Sequence, residues 1–248
     1  MPSWQVEAAG LSVLGALLLL PGLLAVRAPW PQVPLLSASF WILSAWWLDL
    51  LDGSRRRFLV GSLAGLAVLA ALRLPRASKP IPPRWPTTLV VVCALARLAP
   101  YAAWPVAPGI DMSLHSASTL LVVGRDGLPE TSAPLLPIAS FGSDAPALAS
   151  LAADVSLLSG LSAYRSAFLV SAAAYGLLQL ALFDLLRRFF EARAAGLASV
   201  AALALARAPQ SFFGWGGNVS VLALALLVAA PLYWWAPSDA VLNGETPR

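Results

Sequence analysis

The chain has 248 residues, 59% of them hydrophobic and 11% charged, with a mean hydropathy of +0.76; a soluble domain carries about 25% charged residues to wet its surface, so an ordinary soluble enzyme is excluded. So much apolar sequence is accommodated by a bilayer, where a helix of about 20 residues needs no polar face. The net charge of +4 does not point to nucleic acid, because the basic residues fall between apolar runs and not in a patch, and the single cysteine, Cys93, excludes an intrachain disulfide and a thiol metal cluster.

Taken in chain order, uninterrupted apolar stretches occur at Val6–Val26, Leu35–Leu51, Phe58–Leu72, Thr87–Trp104, Leu161–Phe183, Gly196–Phe212 and Val219–Trp235. They predict an all-α polytopic transmembrane bundle of about seven spans. No basic region precedes the first stretch, so it reads as a retained span and not as a cleaved signal peptide. The third is 15 residues long, short for a perpendicular crossing, and reads as a thin span or a re-entrant piece. Arg97 lies ten residues into span four and calls for an acidic partner such as Asp49. Most of the ten tryptophans fall at span ends, where interfacial anchoring accounts for them.

With the N-terminus outside, nine basic residues between the spans fall on the cytoplasmic side and six on the outer side, which orients the chain. The triplet Arg55–Arg57 is the misfit. The expected organisation is N-terminal helices over 1–104, an extracytoplasmic loop over 105–160, C-terminal helices over 161–236 and a polar tail over 237–248.

The loop is where chemistry is expected. Its 56 residues, Pro105–Gly160, hold five of the twelve acids (Asp111, Asp126, Glu130, Asp144 and Asp154), one basic residue (Arg125) and the only histidine, His115; a connection of this length is functional or disordered. Pro108-Gly109 breaks the chain, Asp111 caps a helix running to about Val123, and Gly124 ends it. On that helix Asp111 and His115 share a face extended by Ser118 and Thr119, while Met112, Leu120 and Val123 lie toward the membrane. A second helix starts at Asp144, with Pro146 in its first turn. Its Leu148, Leu151, Val155 and Leu158 recur at helical spacing, predicting an amphipathic helix lying in the interface before Gly160 turns the chain into span five.

A carboxylate and an imidazole on one face near the bilayer surface suit either of two chemistries. Asp111 acts as a general base on an acceptor hydroxyl, or Asp111 and His115 ligate a divalent cation, Mg or Mn, that neutralises phosphate. The bland reading is a helix cap and an interfacial histidine. Arg165, four residues into span five, reads either as a phosphate contact or as a snorkelling side chain. In the segment Ser211–Asn218, Trp215 and Asn218 are residue types that contact sugars, set among three glycines; the bland reading is an interfacial turn.

The run Pro108-Gly109-Ile110-Asp111-Met112-Ser113-Leu114-His115, followed by Gly124-Arg125-Asp126-Gly127-Leu128-Pro129 and by Gly160-Leu161-Ser162 at the next span, resembles the first large extracytoplasmic loop of polytopic membrane glycosyltransferases of the GT-C class. The resemblance covers Pro108–Phe183. It implies an integral protein of a bacterial inner membrane that takes its sugar from a polyprenyl-phosphate donor. By match of position Asp111 would be the catalytic carboxylate and His115 a neighbour of the donor phosphate. Read from the residues themselves, the expected substrate contacts are Arg125, Asp126, Glu130, Arg165, Trp215 and Asn218. The chain departs from the family in placing about four spans before the acidic loop and in its short length.

The competing reading is a non-catalytic membrane subunit, or a lipid or solute transporter, whose loop docks a partner. Spans one, six and seven are nearly free of polar residues, against a charged-solute path. A membrane-embedded hydrolase or phosphotransferase needs clustered acids or histidines, which the chain poorly supplies.

Overall fold

In the computed structural model the chain folds around one helix, α8 (Ala163–Leu186), whose side chains are buried along almost its whole length. The structure describes residues 3–24, 30–73, 85–105, 109, 111–131, 133, 146–205 and 217–234. Among them every element is helical: α1 (Ser3–Leu24), a single 3-10 turn (Trp30–Gln32), α2 (Val33–Leu50), α3 (Arg55–Arg73), α4 (Trp85–Ala96), α5 (Ala99–Ala103), α6 (Asp111–Arg125), α7 (Pro146–Ser159), α8, α9 (Ala192–Leu205) and α10 (Asn218–Trp234). Elements α4, α6, α7, α9 and α10 all pack on α8. Close approach is allowed by its small residues: a Cβ on Gly176 would stand 2.9 Å from the Ala94 carbonyl oxygen of α4.

Four segments are long and apolar enough to cross a membrane: Trp4–Leu24, Val33–Leu50, Trp85–Ala103 and Ala163–Leu186. The seven spans expected from hydropathy are thus reduced to four such segments among the described residues. The third stretch does form a helix, α3, but it opens on three arginines and closes on a fourth, so its uncharged run Phe58–Leu72 reaches only about 22 Å against a hydrocarbon core of about 30 Å. At 14 residues, α9 reaches only about 21 Å against a hydrocarbon core of about 30 Å. Parts of the last two predicted spans lie outside the described residues.

A break in α1 is mended by α2. Pro21 lies inside α1 and has no N–H for the Leu17 carbonyl. The indole Nε1 of the buried Trp41 donates to that carbonyl at 2.8 Å instead, and the Ser37 hydroxyl accepts from the Gly22 N–H at 2.8 Å. Trp41 is therefore a structural donor, packed edge-on against Phe40 and Phe58. Its two tryptophan neighbours on α2, Trp46 and Trp47, are exposed.

Helices α6 and α7 both form in the predicted loop, with α6 starting at Asp111 as expected and α7 ending at Gly160, whose φ of +74° suits a glycine. Their position differs from the expectation. Instead of lying in the interface, α7 is buried on all sides from Leu148 to Val155, packed against α1, α2, α3, α6 and α8. The physical reason is its composition: Ala147, Ala149, Ser150, Ala152 and Ala153 leave no bulky polar face to hold in water. Met112, expected toward the membrane, is likewise buried, while Leu120 is exposed as expected. Asp144, the expected cap of α7, lies outside the described residues.

Gly22 is the tightest point between α1 and α2, since a Cβ there would collide with the Val33 carbonyl; Gly15, on the same helix, has open space. Gly22→Ala is expected to lower stability by about 1–3 kcal/mol through overpacking, whereas Gly15→Ala raises it by about 0.5–1 kcal/mol. Thermal unfolding of each purified variant in detergent checks this, and equal effects at both sites would refute the close-approach reading.

Candidate functional site

Two helices end in the same way and face each other. At the end of α2 the Gly53 N–H donates to the Leu48 carbonyl at 2.9 Å, with Asp52 left-handed at φ +50°. At the end of α6 the Gly127 N–H donates to the Val122 carbonyl at 3.3 Å, with Asp126 left-handed at φ +55°. Both are 6→1 closures in which aspartate stands where glycine is usual, a conformation a short polar side chain tolerates. α6 therefore runs one residue past Gly124, the expected stop, and turns at Asp126.

Between the two ends lies a cleft of about 260 Å³ lined by Leu48, Asp49, Asp52, Gly53, Arg125, Asp126, Gly127 and Leu128. It holds three carboxylates and one guanidinium, and both helix C-termini add partial negative charge. Arg56 and Arg57, at the start of α3, are exposed. Beside the cleft, Trp47, Leu50 and Leu51 are about two-thirds to three-quarters exposed, so it opens next to an apolar surface.

Asp126 also holds the start of α3. Its carboxylate accepts from the Arg56 N–H at 2.7 Å and from the Ser54 hydroxyl, and its carbonyl accepts from the Arg55 N–H at 3.0 Å. Ser54 in turn accepts from the Arg57 N–H at 3.3 Å. The first turn of α3 is thus capped by its own serine and by an aspartate from α6.

The Arg55 side chain leaves this turn for the interior. Its Nε donates to Asp154 Oδ1 at 2.5 Å, and its Nη2 donates to Asp154 Oδ2 at 3.0 Å and to the Ser150 carbonyl at 3.1 Å. Arg55 and Asp154 are both buried. Arg55 is accordingly an internal ion-pair partner, which removes it from the misfitting topology triplet. Burial pushes the Asp154 carboxyl up to about 6 from 3.8, with the Arg55 charge and hydrogen bond opposing the rise.

The other residues singled out in the sequence are distributed over separate places. Asp111 and His115 lie half-buried at the start of α6, on the face that continues into the buried Ser118 and Val122. Along the helix Asp111 is about 21 Å and His115 about 15 Å from Arg125, so no single phosphate touches both sets. No cluster of three His, Cys, Asp or Glu side chains able to hold a metal is present among the described residues. Glu130 is exposed. Trp215 lies outside the described residues.

Arg165 donates through Nε to Glu7 at 2.9 Å and through its other nitrogens to the carbonyls of Trp104 at 3.0 Å, Pro105 at 3.4 Å and Tyr101 at 3.2 Å. It also lies 4.1 Å over the Tyr101 ring, whose hydroxyl donates to the same Glu7 carboxylate. This clamp joins the starts of α1 and α8 to the end of α5. Asn218 is buried at the start of α10, donating to the Met112 sulfur at 3.2 Å and accepting from the Tyr175 hydroxyl at 3.4 Å. The expected Arg97–Asp49 pair does not form. Arg97 sits at the α4–α5 break near the Tyr175 phenol, and Asp49 lines the cleft.

The residues missed in the sequence are Asp49 and Asp52 as cleft acids, and the Arg55–Asp154 pair. The repeated Asp-Gly, at 52–53 and 126–127, was the available signal for the cleft. No protein-family model, curated protein or solved structure gives a significant match to the chain.

Because the folded chain binds the Asp154 proton more tightly than an unfolded chain does, the stability contributed by this group is fully present below about pH 4 and is lost as pH rises from about 4 to about 6. Asp154→Asn removes that loss. Unfolding midpoints measured across pH 4–8 for both proteins give the comparison; identical pH slopes would refute the buried titration.

Proposed function

We propose that the chain is a glycosyltransferase-like protein of a bacterial inner membrane, taking its sugar from a polyprenyl-phosphate donor at the outer face. The observation that carries this reading is the acidic cleft beside exposed apolar side chains. An isoprenoid tail lies along Trp47, Leu50 and Leu51, which leaves its phosphate at the cleft mouth beside Arg125.

Three carboxylates and two helix C-termini repel a bare phosphate, so the cleft needs a cation to accept one. Asp49 and Asp52 fit a hard divalent ion, Mg or Mn, which uses one or two carboxylates and completes its shell with phosphate oxygens and water. When bound, such an ion neutralises phosphate charge. Arg125 contributes a donor to the phosphate. Asp126, engaged in capping α3, shapes the cleft and does not move protons. The acceptor hydroxyl needs a base, and the cleft carboxylate left free by the cation supplies it.

A second placement of the chemistry is favoured by one observation: Asp111 and His115 share the inward face of α6, at its opposite end. The two placements separate by substitution. Asp52→Asn keeps the left-handed turn, since asparagine also tolerates it, and is expected to lower transfer of radiolabelled sugar from polyprenyl phosphate by about a hundredfold or more. Arg125→Ala is expected to weaken donor use mainly through KM. In contrast, Asp111→Asn retains activity if the cleft is the site. A large loss at Asp111 with none at Asp52 moves the catalytic carboxylate to the α6 start, and no transfer by the wild-type chain supports the non-catalytic subunit reading.

Orientation is tested separately. In intact cells, a cysteine at the exposed Glu130, in a chain carrying Cys93→Ala, is expected to react with a membrane-impermeant maleimide. Labelling only after lysis would put the cleft on the cytoplasmic side and remove the outer-face donor.

A further inference from the structure

The Arg55–Asp154 pair touches the cleft through one residue. Asp154 holds the Arg55 guanidinium by a bidentate pair of bonds along one edge, Arg55 opens α3, and the first turn of α3 is bonded to both the carboxylate and the carbonyl of Asp126. Asp126, with its neighbours Arg125 and Gly127, forms one wall of the cleft. The chain of contacts from α7 to the cleft wall is therefore unbroken.

We propose that Arg55 and Asp154 form a proton-operated latch on the cleft. With Asp154 ionised, the guanidinium is drawn into the bundle, the first turn of α3 is seated and Asp126 is fixed against it. With Asp154 protonated, the buried guanidinium loses its counter-charge, and the cost of leaving it out of water favours its release toward the surface, where Arg56 and Arg57 already lie. The Ser54–Asp126 seam then loosens and the cleft wall moves.

The surroundings of Asp154 make Arg55 the group that governs it. Of the elements packed against α7, α3 supplies Arg55, which is the charge acting on Asp154. α6 presents Val122, which packs with Ala149 and Ala153 of α7, and α1, α2, α8 and α10, which also pack on α7, share with it an apolar core that includes Leu17, Leu35, Phe168 and Leu222. Asp154 lies outside the four candidate spans, and its burial holds the carboxyl above the usual carboxylate range, with Arg55 opposing the rise.

As a control on donor binding, the latch rests on the cleft reading above, but its motion is measurable without any sugar. Gly127 lines the cleft and a Cβ there meets nothing within 4 Å, so a cysteine is accommodated at this position on the cleft wall. In the full chain carrying Cys93→Ala and Gly127→Cys, reconstituted in lipid nanodiscs, the spectrum of a nitroxide attached there is expected to be immobilised at pH 7.5. It gains a mobile component as pH falls, with a midpoint near 6. Asp154→Asn is expected to show the mobile component throughout. A spectrum unchanged between pH 7.5 and 5 would overturn the latch, as would a transition that survives in Asp154→Asn. If that variant does not fold, the titration of the parent chain and an Arg55→Lys variant decide. Arg55→Lys loses the bidentate contact and is expected to be mobile already at pH 7.5; an immobilised spectrum there overturns the proposal. A transition that is present and Asp154-dependent in a chain without transferase activity upholds the latch and removes the glycosyltransferase reading. Activity whose pH profile is unchanged by Asp154→Asn, with a static nitroxide, removes the latch and leaves that reading standing.

Discussion

A guanidinium enters the bundle at the first turn of α3, and its charge has to be met there. Arg55 reaches Asp154 with both partners buried, and the rest of the arrangement follows from holding these two groups together. Helix α7 must come inside the bundle to bring Asp154 to Arg55. The start of α3 must sit against the end of α6, because Asp126 satisfies the N–H groups that the seating of Arg55 leaves open. That contact brings two aspartate-capped helix ends together and leaves the cleft between them.

Polar groups elsewhere in the core follow the same logic. Pro21 removes a donor from α1, and Trp41 restores one to the stranded Leu17 carbonyl. Arg165 is met by Glu7 and by three carbonyls near the end of α5, and Asn218 by the Met112 sulfur and the Tyr175 hydroxyl. Where water is absent, a donor without an acceptor is costly, and at these places one helix carries the partner its neighbour lacks. These contacts fix the mutual positions of α1, α2, α5, α6, α8 and α10. They also occupy Arg165 and Asn218, two residue types that otherwise invite a ligand.

For the cleft, the electrostatic consequence is opposite to that of an ordinary phosphate site. Helix N-termini attract anions, whereas here two C-termini and three aspartates converge. Such a centre favours cations and repels a bare anion. Among the described residues, Arg125 is the one basic side chain set with these acids.

Much was legible from local sequence. Composition alone determined the membrane setting, and caps and breakers placed α6 from Asp111 and ended α7 at Gly160, because capping and left-handed turns depend on residues a few positions apart. The arginine content of α3 was equally plain, but not its meaning. Only tertiary structure decided that Arg55 points inward, that α7 is a core helix and not an interfacial one, and that Asp52 and Asp126 line one cavity. Ser54 and Asp126 stand 72 residues apart, and Arg55 and Asp154 99. Hydropathy averages over neighbours in the chain, so it records an arginine as a charge near a span end. Whether that charge stays in water or is neutralised inside depends on which distant carboxylate the packed helices bring within hydrogen-bonding distance.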